Sequence, residues 1–269
     1  MSKVQDAINK GKMHSQGSGR VIKHDSLTTS ATRPPAALMR LKNGASLALD
    51  PERMERSCVL PYIADKGATN AYKLLRTRLL QRMRDNQWKS LMVTGTMPSD
   101  GKTTTAINVA IGASQDVGQS VLLVDMDLER PCVADSLGLQ RTSGLSDYLS
   151  GEADLNDILY NTDIERLFIL PNFEALLLSG SLISPRMLAL LDHIKQLDPN
   201  LLIVFDMPPI LSSDSVLAFG PHADALLLVV SEGRTSRNLL KRASQMIEDI
   251  PRVGTVMNRS TEGNSAGYY

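Results

Sequence analysis

One segment constrains this chain more than any other. An apolar run over residues 90–94 leads into a loop of small residues, and the loop ends in Gly101-Lys102-Thr103 at the head of a helical pattern. The loop Thr96-Met97-Pro98-Ser99-Asp100-Gly101-Lys102-Thr103 meets the phosphate-loop pattern except at its first position, where Thr96 replaces Gly and Gly95 stands one residue early. The physical requirements are still met. Small residues let backbone N–H groups turn inward as an anion nest. A helix starting at Gly101-Lys102 points its positive dipole end at bound phosphates. The expected phosphate cradle is Pro98, Ser99, Asp100, Gly101, Lys102, Thr103 and Thr104. Lys102 reaches the β and γ phosphates, and the Thr103 hydroxyl suits Mg²⁺. A glycine turn before an ordinary helix would explain the loop, but not the lysine and threonine that follow it.

From Lys89 onward, strand and helix patterns alternate. Apolar runs fall at 90–94, 121–125, 167–170, 201–206, 225–230 and 253–257, with helical patterns at 102–117, 185–197 and 234–249. Gly118 closes the first of these helices, and Pro185 opens the second. Such alternation predicts an α/β fold, a mostly parallel sheet flanked by helices on both faces. Aromatic residues are 4% of the chain, so the core is expected to be aliphatic, as in buried parallel sheets.

Three carboxylates follow from that arrangement. Asp206 ends an apolar strand before Met207-Pro208-Pro209, at the sheet edge where open α/β folds bind ligands. Asp125 and Asp127 end another strand and, two apart, leave an extended chain on the same face. One suits the metal and one suits accepting a proton from an attacking hydroxyl or water. Each aspartate alone could simply cap a helix after a strand. Three of them around one phosphate loop read as catalytic Lys102, Asp125, Asp127 and Asp206, with Thr103, Asp125 and Asp206 as metal ligands. His14, His24, His193 and His222 are scattered without ligand spacing, and Cys58 and Cys132 read as incidental reduced thiols.

The front of the chain differs in composition. Residues 1–90 carry 17 Lys and Arg against 7 Asp and Glu, and residues 91–269 carry 12 against 22. Mutual attraction of the two halves accounts for this; an anionic membrane or acidic partner is the alternative. Residues 11–46 read as a poorly ordered arm, preceded by a short helix with Val4, Ala7 and Ile8 on one side. A second short helix is expected from Pro51 to Ser57, capped by Asp50. A longer basic helix, capped by Thr69 or Asn70, runs to about Asp85 with Leu74, Leu75, Leu79 and Met83 on its apolar side. The expected organisation is an N-terminal arm over 1–60, largely disordered with short helices, a nucleotide-binding domain over 61–260 and a flexible tail over 261–269. No run reaches the roughly 18 apolar residues of a membrane span, and the start is too polar for a secretory signal, so a cytoplasmic location is expected.

The motifs Thr94-Gly95-Thr96-Met97-Pro98-Ser99-Asp100-Gly101-Lys102-Thr103, Leu122-Leu123-Val124-Asp125-Met126-Asp127 and Ile203-Val204-Phe205-Asp206-Met207-Pro208-Pro209 together resemble the bacterial tyrosine autokinases of exopolysaccharide export. These are P-loop NTPases related to division-site and partition ATPases and unlike eukaryotic protein kinases. The resemblance spans residues 60–260. It includes Val253 to Arg259, where Asn258 would lie near the nucleotide base. It implies Mg²⁺-ATP, a homo-oligomer, and a membrane partner of the chain-length-regulator type that recruits the chain to the inner face of the membrane. It also implies autophosphorylation of a tyrosine cluster, reduced here to Tyr268 and Tyr269. Where partition ATPases carry an extra loop lysine this chain has Met97, which fits the kinase branch. In the family's subunit-joining helix motif, the matching positions here are Asn70, Lys73 and Arg76, without the usual acidic residue. Glu129 stands where a basic residue is common.

Two functions use such a site, a protein tyrosine autokinase and an ATPase switch for a membrane complex. They differ in whether tyrosine or water accepts the phosphoryl group. Nothing in the chain resembles a nucleic-acid-binding module, so no nucleic acid partner is expected.

Overall fold

The computed structural model describes residues 47–176, 180–198 and 200–260. The expected helix around Val4, Ala7 and Ile8, the arm over 11–46, and Tyr268 with Tyr269 lie outside the described residues.

Among the described residues two helices precede the sheet, α1 (Pro51–Arg56) and α2 (Lys66–Asp85). The chain then runs β1 (Ser90–Gly95), α3 (Lys102–Ser114) and β2 (Ser120–Asp125). Three short helices follow, α4 (Val133–Leu137), α5 (Leu145–Ser150) and α6 (Leu155–Ile158). After them come β3 (Tyr160–Asn161), β4 (Leu167–Leu170), α7 (Pro185–Leu197) and β5 (Leu201–Asp206). The last elements are α8 (Ser215–Phe219), β6 (Ala225–Ser231), α9 (Arg237–Met246) and β7 (Arg252–Asn258).

The sheet has the order β3-β4-β2-β5-β1-β6-β7. Every neighbouring pair is parallel except β3 with β4. The unbroken apolar runs have a direct cause, since successive residues of the central strands go to opposite faces and both faces are covered. Met92, Leu122, Ile203 and Phe205 face one core, with Leu190, Leu191 and Ile194 of α7 and Phe219 of α8. Leu91, Val93, Leu123 and Val204 face the other, with Ile107 and Ile111 of α3 and Leu79, Leu80 and Met83 of α2. Phe205 and Phe219 add an edge-to-face contact at 5.0 Å to an otherwise aliphatic core.

The lead-in belongs to this core rather than to a loose arm. Leu47, Leu49, Met54, Val59 and Leu60 are buried. Asn108 of α3, itself buried, accepts from the Leu60 N–H at 2.7 Å and donates to the Cys58 carbonyl at 2.9 Å. The domain's packed structure therefore begins before residue 61. Asp50 caps α1 as expected, accepting from the N–H groups of Glu52 at 2.9 Å and Arg53 at 3.3 Å. Asp50→Ala is expected to cost about 1 kcal/mol of stability in urea unfolding, the usual value of such a cap.

Helix α2 starts earlier than expected. Asp65, not Thr69 or Asn70, is the cap, and it accepts from the Gly67 N–H at 2.7 Å. Shifting the buried stripe, Leu80 replaces Leu74, which is half exposed at 52%. Several of the basic side chains of α2 are anchored within the chain. Arg82 donates to the Val253 carbonyl of β7, Arg84 pairs with Asp116, and Arg76 donates to Gln115 at 3.3 Å. The Arg84–Asp116 pair and Arg53–Asp135 at 3.3 Å link the basic front to the acidic remainder. Both pairs are exposed, so each adds little stability.

At the opposite end of the sheet from the carboxyl ends of its parallel strands, Asp224 fixes the start of β1. One of its carboxylate oxygens accepts from the Lys89 N–H, the Ser90 N–H and the Ser90 hydroxyl, each at 2.8 Å.

Candidate active site

The register of the central strands brings the chemistry together. Asp125 of β2 lies directly across from Asp206 of β5, and Val93 of β1 pairs with Asp206 on its other side. The phosphate loop leaves β1 just beyond this point, at Gly95. The Met207-Pro208-Pro209 turn is sewn to β1 by the Met207 N–H to the Val93 carbonyl at 2.9 Å and by the Thr94 hydroxyl to the Pro208 carbonyl at 2.7 Å. Two prolines offer no N–H, so the threonine hydroxyl takes over the cross-link.

Within the loop, the substitution at its first position has a structural role. The Thr96 hydroxyl donates to the Asp100 carboxylate at 2.5 Å, and the Met97 N–H donates to the same oxygen at 2.9 Å. Asp100 is 2% exposed. Its side chain lies over Gly95, where a Cβ would come within 3.1 Å of the Asp100 Cβ. The glycine one residue early thus leaves room for Asp100, and Thr96 satisfies it. Thr235, after β6, adds a 3.2 Å contact to the Thr96 hydroxyl. The sequence marked Asp100 only as a cradle residue, and its spacing of four from Thr96 was the available sign of this clasp. Thr96→Gly would restore the usual loop residue yet leave a buried carboxylate short of a donor. It is expected to lower stability by about 1–3 kcal/mol, measurable by urea unfolding.

Lys102 opens α3 and is buried against the aspartates. Its Nζ lies 2.7 Å from Asp127 Oδ2, 3.6 Å from Asp206 Oδ1 and 3.3 Å from the Thr103 hydroxyl. Burial alone would lower the lysine's pKa, but Asp206, Asp127 and Asp125 outweigh it and hold the ammonium above its usual range. Burial pushes the Asp206 carboxyl up, against the pull of Lys102 and the Thr103 hydroxyl. Neither Asp206 oxygen makes a well-formed hydrogen bond, although the residue is fully buried and Lys102 Nζ stands 3.6 Å from its Oδ1.

Asp125 is occupied differently. Its Oδ2 accepts from the Cys132 and Val133 N–H groups at 3.0 Å each, and its Oδ1 accepts from the Asp127 N–H at 3.3 Å. Asp125 therefore ties the start of α4 to the end of β2, the capping role weighed for a single aspartate. Burial and then Asp206 push its carboxyl well up, despite those backbone donors. The thiol of Cys132, on the rim, is also raised, by burial and then by Asp125. Asn258, expected beside the base, spends its amide on the loop, donating to the Asp100 carbonyl at 2.9 Å.

These groups fit a magnesium nucleotide. Asp206 offers two buried oxygens that make no well-formed hydrogen bond, the available ligands are oxygens as Mg²⁺ prefers, and Lys102 supplies the opposing charge. Among the described residues no group of three or more His, Cys, Asp or Glu side chains could hold a metal by itself. That suits an ion held by one or two carboxylates together with phosphates.

Residues 98–261 match the AAA domain family. The tyrosine-protein kinase YwqD of Bacillus subtilis is 28% identical over 221 residues, covering 81% of this chain and 92% of that protein. The tyrosine-protein kinase CpsD of Streptococcus pneumoniae serotype 4 is 31% identical over 207 residues, covering 72% of this chain and 85% of that protein. In structure, the chain is similar to the kinase domain of the Escherichia coli tyrosine kinase ETK, with TM-score 0.67 and 27% identity over 79% of this chain and 84% of that one. A phosphate loop, carboxylate-tipped neighbouring strands and full-length kinase relatives make the chain a member of the bacterial tyrosine-protein kinases, built on an AAA-type P-loop domain.

Proposed function

We propose that the chain is a protein-tyrosine autokinase that uses Mg²⁺-ATP and regulates the making and export of an exopolysaccharide. The observation that carries this reading is the buried cluster of Lys102, Asp127 and Asp206 at the mouth of the phosphate loop, in a chain whose relatives are named tyrosine kinases.

In this reading the backbone of Pro98 to Thr104 cradles the phosphates, and Lys102 stabilises the charge on the moving phosphoryl group. Thr103, Asp125 and Asp206 would hold Mg²⁺, which when bound would neutralise charge on the phosphates. Asp127 orients the acceptor hydroxyl and takes its proton on a carboxylate oxygen. The bond from the γ-phosphorus to ADP breaks as the bond from that phosphorus to tyrosine Oη forms. Phosphoryl transfer leaves the protein mainly positioning and charge stabilisation to supply, and this cluster supplies both.

Tyr268 and Tyr269 in the 261–269 tail are the proposed acceptors, reached in a neighbouring copy of a homo-oligomer. The proposed partner is a membrane chain-length regulator that recruits the chain to the cytoplasmic face of the membrane. No helix among the described residues is long and apolar enough to cross a membrane itself.

The test incubates the purified chain with Mg²⁺-ATP, alone and with cytoplasmic tails of chain-length regulators, and maps the modified residues by mass spectrometry. Phosphate on Tyr268 or Tyr269 is the expected result. ATP consumption without phosphotyrosine in any arm would favour the ATPase switch instead.

A further inference from the structure

Two consecutive residues at the end of β7 grip the outer side of the phosphate loop. Asn258 Nδ2 donates to the Asp100 carbonyl at 2.9 Å, and Arg259 Nη2 donates to the Ser99 carbonyl at 3.0 Å. The pair is itself held in place. The Arg259 N–H donates to Asn258 Oδ1 at 2.9 Å, which fixes the amide's orientation, and the Glu232 N–H donates to the Asn258 carbonyl at 3.0 Å. Arg259 makes no ion pair among the described residues, and its guanidinium is turned to a neutral carbonyl.

The backbone on both sides of this contact is unusual. Ser99 has φ 67°, Gly101 has φ 91° and Arg259 has φ 60°. Left-handed conformations at non-glycine residues persist when the surroundings enforce them, and they gather at ligand clamps. Gly101 also lies so close to the clamp that a Cβ there would fall 1.9 Å from Asn258 Nδ2.

An anion nest works only if its N–H groups face inward, which requires its carbonyls to face outward. A carbonyl that swung inward would set lone pairs against phosphate oxygens. Asn258, the last residue of β7, and Arg259 just after it each capture one carbonyl, on adjacent loop residues. We propose that Asn258 and Arg259 are a latch that presets the phosphate loop before the nucleotide arrives. They are positioning residues, acting through the loop backbone rather than on the reacting atoms. The inference rests on the reading that this loop binds nucleotide phosphates.

The test compares wild type, Arg259→Ala and Arg259→Lys in the full-length chain. Mg²⁺-ADP binding is measured by calorimetry, KM and kcat with ATP by turnover, and Tm without nucleotide. A side chain that only braced the fold would lower Tm and activity together. The latch instead raises Kd and KM about tenfold on loss of its charged donor, with kcat falling less than about threefold and Tm held within about 2 °C. Arg259→Lys, which keeps a cationic donor, recovers most of the affinity.

Unchanged affinity in Arg259→Ala would overturn the latch, as would an affinity loss matched by a loss of Tm or left unrelieved by lysine. Asn258→Ala provides a second check and is expected to weaken Mg²⁺-ADP in the same direction. Wild type that binds no Mg²⁺-ADP would overturn the phosphate-site reading and the latch with it. A binding wild type with unaffected variants would overturn the latch alone.

Discussion

Lys102→Met is expected to reduce phosphoryl transfer by about three orders of magnitude, the scale seen when a principal charge-stabilising group is removed from such a site. The ammonium is the cation placed among Asp127, Asp206 and Asp125. Its loss also leaves buried carboxylates uncompensated, which is expected to cost on the order of 3–5 kcal/mol of stability at neutral pH. The pH dependence follows from the direction of each shift. The raised lysine contributes stability that is fully present below its unfolded pKa and is lost only in strongly alkaline solution. It therefore adds no slope near neutrality. Asp125 and Asp206 are raised, so their charged forms are disfavoured in the fold as pH climbs above the ordinary carboxylate range. In the methionine variant that penalty grows. Its stability deficit should be largest at neutral pH and shrink on acidification, which urea unfolding at several pH values would show. Lys102→Arg keeps the charge and separates the two effects, since it is expected to fold yet transfer poorly.

Asp206→Asn is expected to move activity and stability in opposite directions. The carboxylate is fully buried, neither oxygen makes a well-formed hydrogen bond, and burial raises its pKa despite Lys102 nearby. The folded chain thus holds this charge at a cost, and a neutral isostere relieves it. The variant should gain about 1–2 kcal/mol at neutral pH, as expected where a functional site sacrifices stability. The gain should fade toward low pH, because wild type and unfolded chain are then both protonated at this position. Turnover should fall by about two to three orders of magnitude, since the proposed magnesium ligand is gone. Urea unfolding with and without Mg²⁺-ADP separates the effects. Wild type should be stabilised by the ligand, and the variant much less. A variant no more stable than wild type would show that the carboxylate is not strained.

Five of the parallel strands, β1, β2, β4, β5 and β6, were legible in the sequence because burial on both faces leaves unbroken apolar runs, and the edge strand β7 from the shorter run at 253–257. The two-residue antiparallel strand β3 was not, because Tyr160-Asn161 is too short to show a period. Helix α7 was legible to the residue from Pro185 at its start, and the structure adds Ser184 as its cap. Helix α2 was misplaced at its start because Gly67 in the first turn masked the Asp65 cap. The three aspartates and Lys102 could be named from strand ends and loop spacing. The capping of α4 by Asp125 could not be read there, since it depends on the Cys132 and Val133 N–H groups turning onto that carboxylate. The same is true of Thr96. As a sequence it is a departure from the loop pattern, and in the fold it is the donor that Asp100 requires.

The most direct measurement of the central claim follows the γ-phosphate of labelled ATP, comparing the amount transferred to tyrosine with the amount released to water. The site described here is expected to place a substantial share of it on tyrosine in wild type and none in Lys102→Met. Label found wholly as free phosphate, with ATP consumed and under every partner condition, would contradict the kinase account.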